Sequence, residues 1–265
     1  MIPKGGHKMD EPHLLYQVGH GIGTVTINRE PQRNAITPEA IRLFHAYLDE
    51  AERDPGVRAL LVTGAGDKAF CTGAQLSGAT TTEGRVMFDD YAALLDKLVR
   101  FPKPTVARVK GFCLAGGMGF MLACDIVIAR ESSYFLQAFS HIGLIPDSGG
   151  TYHLPRLIGF QRASALRMLG EKVNAKDAET MGMIYKSIPD ADWDTAVLAL
   201  SQRVAAMPTR GLALTKRALN ASLENNLTAQ LDVEEKIQTA AGKTDDYSEG
   251  VRAFLEKRKA NFTGQ

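Results

Sequence analysis

"TVARVKGFCLAGGMGFMLACDIVIA", residues 105–129, joins two short apolar runs through a stretch that holds four glycines. The flanking runs, "TVARV" and "DIVIA", are brief, rich in β-branched residues and bounded by turn formers, so each reads as a buried strand. Gly111, Gly116, Gly117 and Gly119 lie between them. Glycine is needed where a backbone turns sharply or approaches another group closely. Upstream, "RALLVTG" (58–64) reads as another buried strand and "AFCTG" (69–73) as a short extended piece. "HLLYQV" (13–18) and "GIGTVTIN" (21–28) read as two strands joined by a glycine turn around Gly19 and Gly21.

Helices separate these strands. In "TPEAIRLFHAYLDEAERD" (37–54), Thr37 suits the N-cap, Pro38 the first turn, and Ile41, Phe44 and Leu48 recur at helical spacing. "GRVMFDDYAALLDKLVRF" (84–101) places Val86, Tyr91, Leu94, Leu95 and Leu98 on one side. An order of strand, helix, strand, helix, strand favours an α/β fold with largely parallel pairing and crossover connections.

At 265 residues the chain is long enough for one substantial core, or a core with a small appendage. Residues 1–12 read as a loose tail and 13–207 as the core. In 208–265 the segments 208–222, 228–241 and 246–261 are helix candidates with no strand between them. Their apolar faces require cover from the core or from another subunit. A net charge of +1 gives no field suited to nucleic acid or a membrane surface. No uninterrupted apolar run reaches the roughly 18–20 residues of a membrane span, and the first residues carry no secretory apolar region. Cys71, Cys113 and Cys124 are an odd count in apolar surroundings, which suggests reduced thiols and a cytoplasmic location. None has metal-ligand spacing to another Cys or His, so no metal is expected.

Two glycine turns follow strand-like runs: "CTGAQLSG" (71–78) and "GFCLAGGMGF" (111–120). Neither a phosphate loop nor a dinucleotide fingerprint fits the second. Such turns serve structure, or leave backbone N–H groups free to bind an oxygen, and composition alone keeps both readings open. A third segment, "GLIPDSGGTYHLPRL" (143–157), sets the lone acid Asp147 ahead of Ser148, Gly149 and Gly150.

"VTINREPQRNAITPEA" (25–40), "AFCTGAQLSG" (69–78), "KPTVARVKGFCLAGGMGFMLACDIVIA" (103–129), "GLIPDSGGTYHLPRLIG" (143–159) and "EGVRAFLEKRKANF" (249–262) resemble, in order, the signature segments of the crotonase (enoyl-CoA hydratase/isomerase) superfamily. The likeness runs from about residue 13. It implies a spiral of strand–strand–helix repeats, a helical C-terminal trimerisation section, and a homotrimer or dimer of trimers. It also implies an acyl-CoA substrate whose CoA is part of the substrate, with no separate cofactor.

By the same resemblance, the backbone N–H groups of Ala74 and Gly116 form an oxyanion hole. Gly73, Gln75, Leu76, Gly117, Gly119 and Phe139 then surround the substrate. Arg33 falls where the CoA arm passes, and Phe254 and Lys257 fall where a neighbouring subunit meets the adenine and phosphates.

The two glutamates that activate water in family hydratases fall at Gly119 and Phe139. Neither residue exchanges a proton, which disfavours hydration. The loss of both suggests that Gly119 leaves space and that Leu76, Met118, Phe120 and Phe139 wall an apolar pocket for a bulky or cyclic acyl group.

"FLQAFSHIGLIPDSGGTYHLPRLIG" (135–159) is especially similar to the ring-1,2-epoxyphenylacetyl-CoA isomerase branch, in which the matching aspartate shuttles a proton. The expected activity is therefore acyl-CoA isomerisation through a thioester enolate, with Asp147 as the base. Other readings stay open. They are an atypical hydratase, an aryl-CoA dehalogenase-like enzyme with Asp147 as nucleophile, a non-catalytic acyl-CoA-binding trimer, and an Asp147 that merely caps the following helix. His141, Tyr152 and His153 read as surface or packing residues.

Overall fold

The computed structural model describes residues 11–75 and 82–265. Almost all of the expected tail, together with Leu76 and the side chain of Val86, lies outside the described set.

The chain opens with an antiparallel hairpin of β1 (Leu14–Gly19) and β2 (Ile22–Ile27). It turns at His20 and Gly21, both left-handed. Helix α1 (Pro38–Arg53) follows; Thr37 Oγ1 accepts the Ala40 N–H at 3.2 Å, and Ile41, Phe44 and Leu48 are buried. Three turns of a spiral come next. The first is β3 (Ala59–Gly64), β4 (Ala69–Cys71) and α2 (Thr82–Val99). The second is β5 (Thr105–Val109), β6 (Phe112–Leu114) and α3 (Gly116–Leu122). The third is β7 (Ile126–Arg130), β8 (Tyr134–Leu136) and the helices α4 (Gly150–Ile158) and α5 (Phe160–Leu169). Beyond them lie β9 (Lys172–Asn174), α6 (Ala175–Thr180), β10 (Lys186–Ile188) and α7 (Trp193–Ala205).

In every turn the first strand joins one sheet and the second strand joins another. The six-stranded sheet runs β1-β2-β3-β5-β7-β10, parallel from β2 onward. The four-stranded sheet runs β4-β6-β8-β9, with only β8–β9 antiparallel. This is the strand–strand–helix repeat expected from the sequence.

Strand β3 is buried throughout, because both faces of the large sheet are covered. Side chains alternate across a strand. Leu60 and Val62 therefore join the main core with Phe44, Phe70 and Phe120, while Leu61 joins Val106, Ile128, Ile188 and Trp193 beneath α7. Burying each such side chain stabilises the fold by about 1.5–3 kcal/mol.

Three helices complete the chain: α8 (Thr209–Ser222), α9 (Leu227–Ala241) and α10 (Asp245–Leu255). Polar contacts fasten α8 to the spiral. Lys216 Nζ lies 3.0 Å from Asp125 and donates to the Leu98 carbonyl at 3.2 Å. Asn220 donates to the Val99 carbonyl at 3.0 Å. Arg58, ahead of β3, donates to Thr209 Oγ1 and to the carbonyls of Met207 and Phe262. Helix α9 buries none of its side chains, and Leu227, Leu231, Phe254 and Leu255 are exposed.

The helix expected over 246–261 stops at Leu255. The chain beyond it is pulled back by acids of the same helix. Glu249 accepts from Arg258 at 2.6 Å and from the Asn261 N–H at 2.9 Å, and Asp246 accepts the N–H groups of Thr263 and Gly264 at 2.7 and 2.8 Å. Lys257 takes a left-handed turn with φ of 53° where the direction reverses.

Candidate active site

Three adjacent strands of the small sheet, β4, β6 and β8, each run into a segment that the sequence marks for chemistry. After β4 come Gly73 and Ala74. Gly73 has φ of +90°, its carbonyl accepts the Ile36 N–H at 2.8 Å, and the Gln75 N–H bonds the Ile36 carbonyl at 2.9 Å. This bridge leaves the Ala74 N–H without an acceptor among the described residues. After β6, Ala115 takes φ of +44° and Gly116 begins α3; its N–H also has no acceptor among the described residues. The two turns nearly touch. A β carbon placed on Gly73 would lie 2.9 Å from Gly116 N, and one on Gly117 would lie 2.3 Å from the Cys71 carbonyl oxygen. Side chains at either position would force the turns apart.

After β8 the chain passes Phe139, which is buried, and reaches Asp147, which is half-buried. The Asp147 carboxylate accepts the Ser148 hydroxyl at 2.7 Å. It does not cap α4. The N-cap is Gly149, at φ of 68°, and no side chain among the described residues accepts an N–H of the first turn. Only the Asp147 backbone carbonyl meets that turn, accepting the Gly150 N–H at 2.8 Å. Ser148 itself holds the left-handed φ of 56°.

The pocket expected at Gly119 needs correction. A β carbon there would lie 2.4 Å from Ser148 Cβ and 2.6 Å from its carbonyl oxygen, so Gly119 is filled by Ser148 and leaves no space. Met118 and Phe120 are core residues, because α3 is buried on every side. Phe120 stacks on Phe44 at 5.6 Å and tilts against Tyr91 at 4.8 Å, while the Gln137 amide donates to Met118 Sδ. The free volume lies elsewhere. A cavity of about 1430 Å³ runs between α2 and α8, and Tyr91, Leu95, Ser148, Gly149, Tyr152 and His153 form part of its wall. Among the described residues its wall takes in Ser148 and Gly149 of the Asp147 loop but not Asp147, Ala74 or Gly116.

Electrostatics fix the state of two wall groups. Burial, reinforced by Cys71 and Asp147, pushes the Tyr91 phenol well above its ordinary value, so it stays a neutral donor. Its hydroxyl donates to the Gly116 carbonyl at 2.8 Å. Burial, with Arg156 nearby, lowers His153 and favours the neutral ring.

Of the remaining candidates, Arg33 is exposed, at φ of 53°, with its guanidinium 5.7 Å from the Phe112 ring centroid. Phe254 is 81% exposed. Among the described residues no hydrogen bond or ring contact joins Phe254 or Lys257 to the Asp147 group. Two residues of the site carried no mark in the sequence reading. Tyr91 sits at ordinary core spacing, and Ser148 was overshadowed by its acidic neighbour. Asn34 was also missed. It is fully buried, donates to the carbonyls of Ala65 and Ala69 at 3.0 and 2.7 Å, and anchors the turn ahead of β4.

Comparison with known proteins agrees with this architecture. The enoyl-CoA hydratase/isomerase family profile matches residues 17–265. The chain is 39% identical over 259 residues to an Escherichia coli protein named 1,2-epoxyphenylacetyl-CoA isomerase, covering 95% of this chain and 98% of that one. It is 38% identical over 256 residues to a probable enoyl-CoA hydratase of Rhodobacter capsulatus, with the same coverage. A crystal structure of enoyl-CoA hydratase from Bacillus anthracis superposes with a TM-score of 0.91 at 27% identity, covering 96% of this chain and 100% of that one. The chain belongs to the enoyl-CoA hydratase/isomerase family, and its fold is the crotonase fold.

Proposed function

We propose that the protein is an acyl-CoA isomerase that moves a double bond, or rearranges a ring epoxide, through a thioester enolate. The Asp147 carboxylate takes a proton from one carbon of the acyl group. The electron pair left behind delocalises onto the thioester oxygen, where the N–H groups of Ala74 and Gly116 hold the charge. Asp147 then returns the proton to a second carbon. Donors aimed at an oxygen that gains charge stabilise the transition state more than the ground state, and losing one typically costs about 3–4 kcal/mol.

The observation that carries this reading is the contact of Ser148 with Gly119. It fills the place of the first hydratase glutamate, Phe139 stands at the second, and Asp147 is left as the acid of this loop. The relatives' names include both an isomerase and a hydratase.

In this reading Arg33 meets the CoA arm in a cytoplasmic enzyme, and Gln75 belongs to the substrate-binding turn. The uncovered apolar side chains of Leu227, Leu231, Phe254 and Leu255 favour section 208–265 as the surface that joins subunits of a trimer. Phe254 and Lys257 would then serve a neighbour's CoA.

The test is turnover of 3-hexenoyl-CoA and phenylacetyl-CoA in D2O, followed by NMR and mass spectrometry. Wild-type protein should shift the double bond of the first and wash deuterium into the second, and Asp147→Asn should abolish both. With crotonyl-CoA as a parallel substrate, formation of 3-hydroxyacyl-CoA as the main turnover would overturn the isomerase reading. With a haloaryl-CoA in oxygen-18 water, halide release together with oxygen-18 in the Asp147 carboxylate would favour the dehalogenase-like nucleophile instead.

A further inference from the structure

Asp147 is a half-buried acid in the loop ahead of α4, and proton transfer needs it held in one direction. Ser148 meets that need. Its hydroxyl donates to Asp147 at 2.7 Å, and it is buried at 8% exposure. Two contacts in turn fix the serine. Its Cβ and carbonyl lie against Gly119, and its Oγ would be 3.3 Å from a β carbon built on Gly116, the residue that offers an oxyanion donor. A residue held at φ of 56° has little freedom to wander, since non-glycine side chains visit that region at a cost.

We infer that Ser148 is a positioning residue: it occupies the volume of a second acid and, with the same side chain, aims the remaining acid at the substrate carbon beside Gly116. The inference rests on the reading of Asp147 as the base. It goes further by placing the choice between one-acid and two-acid chemistry in a residue that exchanges no proton with substrate. The atoms that exclude a glutamate at 119 belong to the residue that orients Asp147, so the two properties cannot be separated by mutation at 119 alone.

The test uses Ser148→Ala, which keeps the β carbon and loses the hydroxyl, and Ser148→Gly, which also relieves the left-handed backbone. Deuterium exchange into phenylacetyl-CoA and 3-hexenoyl-CoA is followed at saturating substrate. Both variants should lose about 10- to 100-fold in kcat, the scale of a misaligned catalytic group. KM should stay within about twofold, because binding contacts are untouched.

Ser148 acts through Asp147, so in an Asp147→Glu background that keeps a weakened base, adding Ser148→Ala should cost much less than it does alone. If Asp147→Asn abolishes exchange while both Ser148 variants keep wild-type kcat, the positioning role is wrong and the base assignment stands. A Ser148→Ala loss that is as large in Asp147→Glu as in wild type, or that appears in KM alone, also overturns it. If Asp147→Asn exchanges as wild type does, or wild type exchanges neither probe, the base reading falls and this inference falls with it.

Discussion

Tyr91 and Gly116 are joined at 2.8 Å by a hydrogen bond from the phenol to the peptide carbonyl, with Tyr91 only 5% exposed. The residue whose N–H is the proposed oxyanion donor is thus held, through its own carbonyl in the next peptide, by a side chain from α2, a helix of the preceding spiral turn. Tyr91→Phe keeps the ring packing on Phe120 and removes only that donor. The variant should lose about 1 kcal/mol of stability, the usual net worth of one hydrogen bond, as read by urea denaturation. Its kcat for deuterium exchange should fall while KM stays near the wild-type value.

Gly119→Ala tests the contact with Ser148. The added methyl would meet Ser148 Cβ at 2.4 Å and its carbonyl at 2.6 Å. Backbone cannot give way cheaply, so α3 or the Asp147 loop must shift. A loss of about 1–3 kcal/mol is expected, the range for overpacked cores. Thermal melting checks this. Gly119→Glu should fold worse still and form no 3-hydroxyacyl-CoA from crotonyl-CoA, despite restoring the family acid.

Lys216 and Asp125 form the charged joint between α8 and the end of α3, and Asp125 also accepts the Thr105 N–H and hydroxyl at 2.8 and 2.9 Å. Lys216→Met removes one buried partner and leaves the other charge under-compensated. Asp125 reaches solvent, so the pair is screened, and stability should fall by about 1 kcal/mol, with the lost hydrogen bond to Leu98 included. Chemical denaturation of the variant beside wild type gives the measurement.

Glu249 predicts a pH dependence. Its carboxylate is held well below the ordinary 4.5, first by Arg258, then by the Asn261 N–H and by Arg252. A carboxyl group lowered on folding stabilises the native state above its unfolded value, and that contribution fades as pH falls toward the lowered one. The melting temperature of wild type should therefore exceed that of Glu249→Gln at neutral pH. The gap should narrow from about pH 5 downward. A constant gap would place the effect in packing.

Much of the frame is legible from residues alone. Thr37 and Pro38 announce the start of α1, the unbroken apolar run of β3 announces a strand covered on both sides, and the glycines at 73 and 117 announce close approaches. What escapes has a common cause. Nothing at Gly119 says which atoms will press against it, because Ser148 arrives from a later turn of the spiral. Tyr91 has the spacing of any core residue on α2, and only its depth beneath Gly116 gives its hydroxyl a task. The end of α10 was also hidden: helical periodicity continues past Leu255, while Asp246 and Glu249 draw the tail away by contacts that local pattern does not encode.

The small sheet has one more consequence. Neighbouring strands stand about 4.8 Å apart, so segments leaving β4 and β6 inherit that pitch, and a single oxygen lodged midway can take a hydrogen bond from each. Under the proposed mechanism the sheet works as a ruler for the chemistry, with one tick per strand, and its third tick carries the loop of Asp147. Such a scaffold lets the reaction be rewritten at the third mark while the gauge of the first two is left as it was.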